Sequence, residues 1–405
     1  MINFISTKNL IYLTLFFSPV YLIKFSVFNI PLNLLDILIL FTLAVWVHEN
    51  KLNLFKKIKK SLEKTSSILL PVFFILLGLF ASTLLNDNFL KELGIIKSWF
   101  LLPIAFGFIV FNETQRITTV KKILDTLFFS SFFISIIGLF YLLFGKLTYD
   151  GRLSAFYLSP NHLAMILVLG FLIGFWDIVK DKKINIFKLI YLFPILFALF
   201  FTHSYGAWLS LFISSLIILF FTHRKTILIL VIIFLIFLIS EYSSPKFYTI
   251  FHHQEQSSLN SRLVIWQVSK KIISDNWLWG IGPGNFQEKY LDYQKYFPPY
   301  PEWAVPQPHN LFLAFWLQAG LLGLFGFLYL TISWGIKKIK ILIFSKDLHK
   351  KSFSLIVLTI VFATLLHGLI DTPYWKNDLS LVFWSIIYLG LSLKYLPITL
   401  NDNSK

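Results

Sequence analysis

His309-Asn310 stands between Pro308 and the long apolar run that begins at Leu311. Imidazole is the side chain that takes up and releases a proton near neutral pH, so a base is the first chemistry such a residue suggests. Arg152 and Arg262 offer a second kind: a guanidinium stays charged and grips a phosphate or carboxylate with paired hydrogen bonds. Asn161, His203, His367 and Asp371 also lie at the ends of apolar runs, where polar groups are costly and tend to be functional. The chain has no cysteine, which excludes disulfides, thiolate nucleophiles and Cys-ligated metal. His252-His253 with Glu255 has no further ligands at metal spacing. A histidine opening an apolar helix has two readings: an interfacial side chain satisfied by backbone, or a base held rigidly at the mouth of a cavity. Rotation by about 100° per residue puts Leu313, Trp316, Gly320 and Gly323 on the face of His309. Glycines there would let a neighbouring helix approach closely and fix it.

The elements that must position these residues are membrane spans. Of 405 residues, 57% are hydrophobic and 14% charged, with a mean hydropathy of +0.73. A soluble domain cannot hide that much apolar surface, so lipid must solvate most of it. The pattern predicts an all-α, polytopic membrane protein with about twelve spans, near 10–30, 32–47, 67–86, 98–112, 123–145, 160–178, 189–203, 205–222, 226–240, 308–335, 353–370 and 380–396. Connections on one side, with both chain ends, carry 24 of the 36 basic residues. The formal charge of +16 therefore reports topology rather than nucleic acid, and the positive-inside rule puts both termini in the cytoplasm. Asp36 and Lys24, near outward ends of their spans, are placed to snorkel.

The expected organisation is spans one to nine over 1–240, an extracytoplasmic loop over 241–307, spans ten to twelve over 308–396, and a cytoplasmic tail over 397–405. The loop, between spans nine and ten, reads as helical. NSRLVIWQVSKKIISDN suggests an amphipathic helix capped by Asn260 or Ser261, with Leu263, Trp266 and Ile273 on one side. GIGPGNF (280–286) is a Gly/Pro turn, and FQEKYLDYQKYF (286–297) a second short helix. Six of the nine histidines, with Arg152, Arg262, Asn161, Asn310 and Asp371, fall on the outward side, while the span middles are nearly bare of charge. A proton or ion pathway would need midplane carboxylates or broken helices. Chemistry at the outer boundary can instead reach a lipid-linked substrate and a water-exposed partner together.

Here the chain resembles the bacterial O-antigen ligase and polymerase family of polytopic glycan transferases. Its pattern of His, then Asn, Ser or Gln, nine residues and Gly-x-x-G is matched by His309, Asn310 and Gly320-Leu-Leu-Gly323. SRLVIW (261–266) is similar to the Arg-x-x-x-Trp stretch of the family's long loop, which places Arg262 and Trp266. GIGPGNF resembles the family's Gly-rich turn, with Gly282 and Gly284, and RLSAFYLSPNHLA (152–164) resembles an earlier segment covering Arg152, Pro160 and Asn161. Where the family commonly has Ser-Arg-Gly, this chain has Ser204-Tyr205-Gly206. The resemblance gives that arginine a diphosphate contact, so Arg152, His203 or Tyr205 itself must stand in.

What the resemblance implies is transfer of a glycan from undecaprenyl diphosphate to an acceptor hydroxyl, such as lipid A-core, on the outer face of the inner membrane. It implies an inverting reaction with no cofactor or metal and with lipids and glycans as partners. His309 would be general base and Arg262, with Arg152, the diphosphate-holding cation; Asn310 and Asn161 would orient base or acceptor. Asp371 and His367, near the end of the eleventh span, either join them in touching substrate or only satisfy a helix end. Gly282, Gly284, Gly320, Gly323 and Trp266 would be structural. Three rivals remain: a polysaccharide polymerase or protein O-oligosaccharyltransferase of the same family, a lipid-linked-glycan transporter, and a non-catalytic scaffold of an envelope complex.

Overall fold

The computed structural model describes residues 6–27, 30–86, 88–180, 189–242, 258–298 and 304–397. His252, His253, Glu255 and Trp303, and parts of the 241–307 loop, lie outside them. Among the described residues the regular structure is helical apart from one antiparallel hairpin, β1 (Lys24–Val27) with β2 (Ile30–Asn33). Among the described residues, seven helical stretches are long and apolar enough to cross a membrane. The run expected as the first span, 10–30, is not one helix. α1 (Thr7–Phe16) stops after ten residues, about 15 Å of rise against a core of about 30 Å. Pro19 then opens a short 3-10 turn, and the chain enters the hairpin.

Two helices set the frame. α2 (Leu34–Asn50) leads into α3 (Leu54–Leu84), which lies along α13 (Leu311–Phe344). Their approach is backbone on backbone: a methyl at Gly78 of α3 would strike the Ala319 carbonyl and the Gly323 amide, and one at Gly326 would strike Pro71 and Ile75. α4 (Phe89–Ile96) runs through a π turn into α5 (Leu102–Glu113), which packs on α15 (Asn377–Ser392). Every residue of α15 is buried. A helix apolar on all sides belongs in the middle of a bundle. α6 (Ile117–Leu143), α7 (Pro160–Val179), α8 (Leu189–Phe201), α9 (Tyr205–Thr222) and α14 (Leu348–His367) complete the bundle, and α10 (Ile227–Glu241) leans on α9.

A second, smaller core stands at one end, formed by α11 (Ser258–Asp275) and α12 (Phe286–Gln294). Ile265, Val268, Ile272, Ile281, Phe286 and Tyr290 meet there with Leu317 of α13. Two details differ from the sequence reading. Asn260 and Ser261 lie inside α11 rather than capping it, and Leu263 is exposed while Ile265, Val268 and Ile272 form the buried face. The Asp36 carboxylate also does not snorkel: it is buried, paired with Lys97 at 3.0 Å, and accepts from Ser98 Oγ at 2.7 Å. A partner within reach makes burial of that charge tolerable.

α13 is not continuous as its glycines suggested. Gly320 breaks it with φ 65° and ψ −172°, a conformation open chiefly to glycine. The break exposes backbone groups, and the loop before α12 takes them: Ile281 N donates to Leu317 O at 2.6 Å and Leu321 N to Leu278 O at 3.0 Å. Gly320 thus binds the loop, while Gly323 serves the helix–helix approach.

Candidate functional site

His309 precedes α13 rather than starting it. Asn310 is the cap, its Oδ1 accepting from Phe312 N and Leu313 N, both at 3.0 Å, and its Nδ2 donating to Leu369 O at 2.8 Å. Both ends of that amide are therefore engaged within the chain. His309 itself has φ +46°, the left-handed region that costs a non-glycine residue about 1–3 kcal/mol and persists only where the surroundings enforce it. The enforcement is visible. Trp266 Nε1 donates to Pro308 O at 3.1 Å and to His309 O at 3.3 Å, and Leu311 N donates to Gly368 O at 2.7 Å.

That geometry aims the imidazole at the loop between α14 and α15. His309 Nδ1 is 3.1 Å from Asp371 Oδ1, an oxygen that also accepts from Thr372 N at 2.9 Å. Asp371 Oδ2 accepts from Asn161 Nδ2 at 2.8 Å and faces Arg262 Nη2 at 4.0 Å. Burial alone would raise this carboxyl, but the charge and hydrogen bond of His309, then Arg262 and His367, hold it below the usual carboxylate range. The ionised carboxylate can only accept, so the proton between them sits on His309 Nδ1. In the neutral imidazole Nε2 is then the nitrogen that keeps its lone pair, and it makes no hydrogen bond among the described residues. The ring is 30% exposed, against 6% for the Asp371 side chain.

The cations behave differently from each other. Arg152 gives Nε to Thr202 O at 2.8 Å, Nη2 to Asn161 Oδ1 at 2.7 Å, and has Asp150 at 3.6 Å. Burial lowers its guanidinium from the usual range while Asp150 pulls the other way. Arg262 is less engaged: its Nε is buried without a hydrogen-bond partner among the described residues, and its closest carboxylate oxygen is the one at 4.0 Å. A buried guanidinium donor left unmade is costly, which points to an anionic ligand.

The structure therefore brings together Arg152, Asn161, Arg262, His309, Asp371 and the buried His367, with Trp266 beneath them. Tyr205 and His203 turn elsewhere. Tyr205 Oη donates to Glu241 Oε2 at 2.8 Å, and His203 Nδ1 is 3.5 Å from the same oxygen. The position where the resemblance put arginine thus faces a carboxylate. Gly282 and Gly284 pack against Glu92, Lys91 and Ile95 of α4, away from the histidine. Sequence reasoning missed Glu241 and Asp378. Asp378 is fully buried and 3.1 Å from His162 Nε2. Nothing in their spacing marks them: Glu241 meets its partners across the α9–α10 pair, and Asp378 meets His162 from more than two hundred residues away.

These features define a polytopic membrane protein with a His–Asp pair and a loosely held guanidinium gathered at one end of its bundle. Residues 190–328 match the family model described as O-antigen ligase. The matched stretch holds Tyr205, Arg262, His309, Gly320 and Gly323, whereas Arg152, Asn161, His367 and Asp371 join the site from outside it. No curated protein matches the chain.

Proposed function

We propose that the protein transfers a glycan from undecaprenyl diphosphate to an acceptor hydroxyl at the outer face of the inner membrane. The observation that carries this reading is the pairing of an open imidazole nitrogen with a guanidinium whose buried Nε has no hydrogen-bond partner among the described residues, both around one carboxylate. The acceptor oxygen attacks the anomeric carbon as the bond to the diphosphate oxygen breaks, inverting the configuration. His309 Nε2 takes the acceptor proton, and Asp371 holds the ring in that tautomer and steadies the imidazolium that forms. Arg262 receives the charge that develops on the departing lipid diphosphate. The leaving group is already good, so a held cation suffices where a strong acid would otherwise be needed.

The site end of the bundle is the outward end in this reading, with both termini cytoplasmic, residues 241–307 forming the extracytoplasmic segment and lipid A-core as acceptor. The opposite end supports it: Lys57, Lys121, Lys180, Lys338 and Lys350 gather there, held by Glu113, Asp177 and the carbonyls of Gly390 and Leu396. The test is purified protein in proteoliposomes with undecaprenyl-diphosphate oligosaccharide and lipid A-core. Glycosylated lipid A-core is the expected product. Chain extension of the donor itself would instead establish a polymerase. A glycosylated protein acceptor would mean an oligosaccharyltransferase, and glycan crossing the bilayer without transfer would replace the reading with a transporter.

A further inference from the structure

Arg152 lies within the charge field of Arg262 and Asp371, and its sign alone would make it a second diphosphate ligand. Its hydrogen bonds say otherwise. Nε and Nη2 are directed at Thr202 O and Asn161 Oδ1. We infer that Arg152 is a positioning residue, which fixes the proton on His309 through a directional relay of Arg152 to Asn161 to Asp371 to His309. The inference rests on the proposed role of His309 as base.

The relay has one permitted sense. A guanidinium has no acceptor and an ionised carboxylate has no donor. Asn161 stands between them with 2.7 Å on one side and 2.8 Å on the other, so its oxygen must face Arg152 and its NH2 must face Asp371. Without Arg152 the amide oxygen loses its donor, and the side chain is free to swing away and leave Asp371 Oδ2 unpaired. With the amide fixed, Asp371 Oδ2 is occupied by a donor, and Oδ1 takes the Nδ1 proton of His309. Nε2 is then the nitrogen left to accept. Thr202 ties the relay to the turn between α8 and α9, and Asn161 sits in the first turn of α7. The first turn of α7 and the connections carrying Arg152, Thr202, His309 and Asp371 thus converge on a single proton position.

Two substitutions test this. Asn161→Asp keeps the shape and the acceptor for Arg152 but places a carboxylate against Asp371. Arg152→Lys keeps the charge but cannot fork between Thr202 and Asn161. Each is expected to lower kcat by ~10²-fold or more, as a wrong tautomer does, with donor KM changed less than about twofold. The double variant should be no worse than either single one. Asn161→Asp should also move the acid limb of the rate profile to higher pH, because a second carboxylate raises the proton affinity of the site. A raised donor KM at unchanged kcat, or retention of activity by Arg152→Lys, would overturn the relay and return Arg152 to the diphosphate.

A readout that needs no turnover separates failure of the relay from failure of the proposed function. Nitrogen-15 NMR of histidine-labelled protein, with His309 assigned by loss in His309→Ala, should show Nδ1 protonated and Nε2 bare at about pH 8, above the imidazole range. Asn161→Asp should disturb that pattern. An unchanged tautomer in the variant sinks the relay even if wild-type protein transfers glycan. A changed one upholds it even if the assayed acceptor is wrong.

Discussion

Two adjacent residues at the start of α7 reach two aspartates, one in the connection before α15 and one in its first turn, with opposite results. Asn161 meets Asp371, whose other oxygen holds His309; His162 meets Asp378. Both are His–Asp pairs at 3.1 Å. The His162 pair is sealed, with side chains 7% and 0% exposed, Tyr21 Oη 3.4 Å from the second ring nitrogen and the tilted Tyr157 ring centred 4.3 Å away. The His309 pair keeps its second nitrogen open. The same two side chains make a lock where both ring nitrogens are occupied, and a base where one remains free. Burial of the second nitrogen, not the pairing, separates structure from chemistry.

That contrast can be broken directly. His309→Ala should lower transfer by about 10²–10⁴-fold while leaving the apparent melting temperature in detergent close to wild type. His162→Ala should do the reverse, because it strips the partner from a buried carboxylate at a cost of ~3–5 kcal/mol. It should lower melting temperature and yield more than the rate of the folded fraction. If His162→Ala is stable and inactive, the sealed pair takes part in the chemistry and the comparison collapses.

Arg262→Lys sharpens it from the ligand side. A point charge cannot reproduce a bidentate grip, so donor KM should rise about tenfold, seen by titrating lipid-linked donor at fixed acceptor. Gly78→Val should cost ~1–3 kcal/mol by forcing α3 off α13, read as a lower melting temperature with unchanged donor KM. The smallest effect concerns pH. Asp371 is held below its usual range, so the stability it contributes is complete above the unfolded carboxylate pKa of about 4 and is lost only as pH falls further. Between about pH 5 and 8, melting temperature should therefore be indifferent to Asp371, and an acid limb in the rate should come from the imidazole. A limb that persists in a folded His309→Gln variant with residual activity would assign it elsewhere.

The helical, lipid-solvated character of the chain was legible from composition, and His309, Arg262, Arg152 and Asn161 from local patterns. Helix ends and breaks were less so. α1 stops at Phe16 because Pro19 and the hairpin follow, although hydropathy runs on. Gly320 was read as a packing glycine, yet it breaks α13 to pair with 278–281, a choice that depends on a loop forty residues earlier. Asp371 was an ambiguous helix-end acid until three segments met on it.

The sequence by itself determined which chemistry was possible: an imidazole at a helix mouth, guanidiniums near membrane boundaries, no thiols, and lysines gathered on one set of connections. Residue type fixes charge, proton affinity and solubility in lipid, and those need no partner to be read. Only the tertiary structure decided which histidine is open and which is sealed, and which arginine is engaged. It also turned Tyr205 toward Glu241 rather than the site. Those outcomes depend on contacts between residues up to some two hundred positions apart, and hydrogen-bond direction and burial exist only once such residues are brought together.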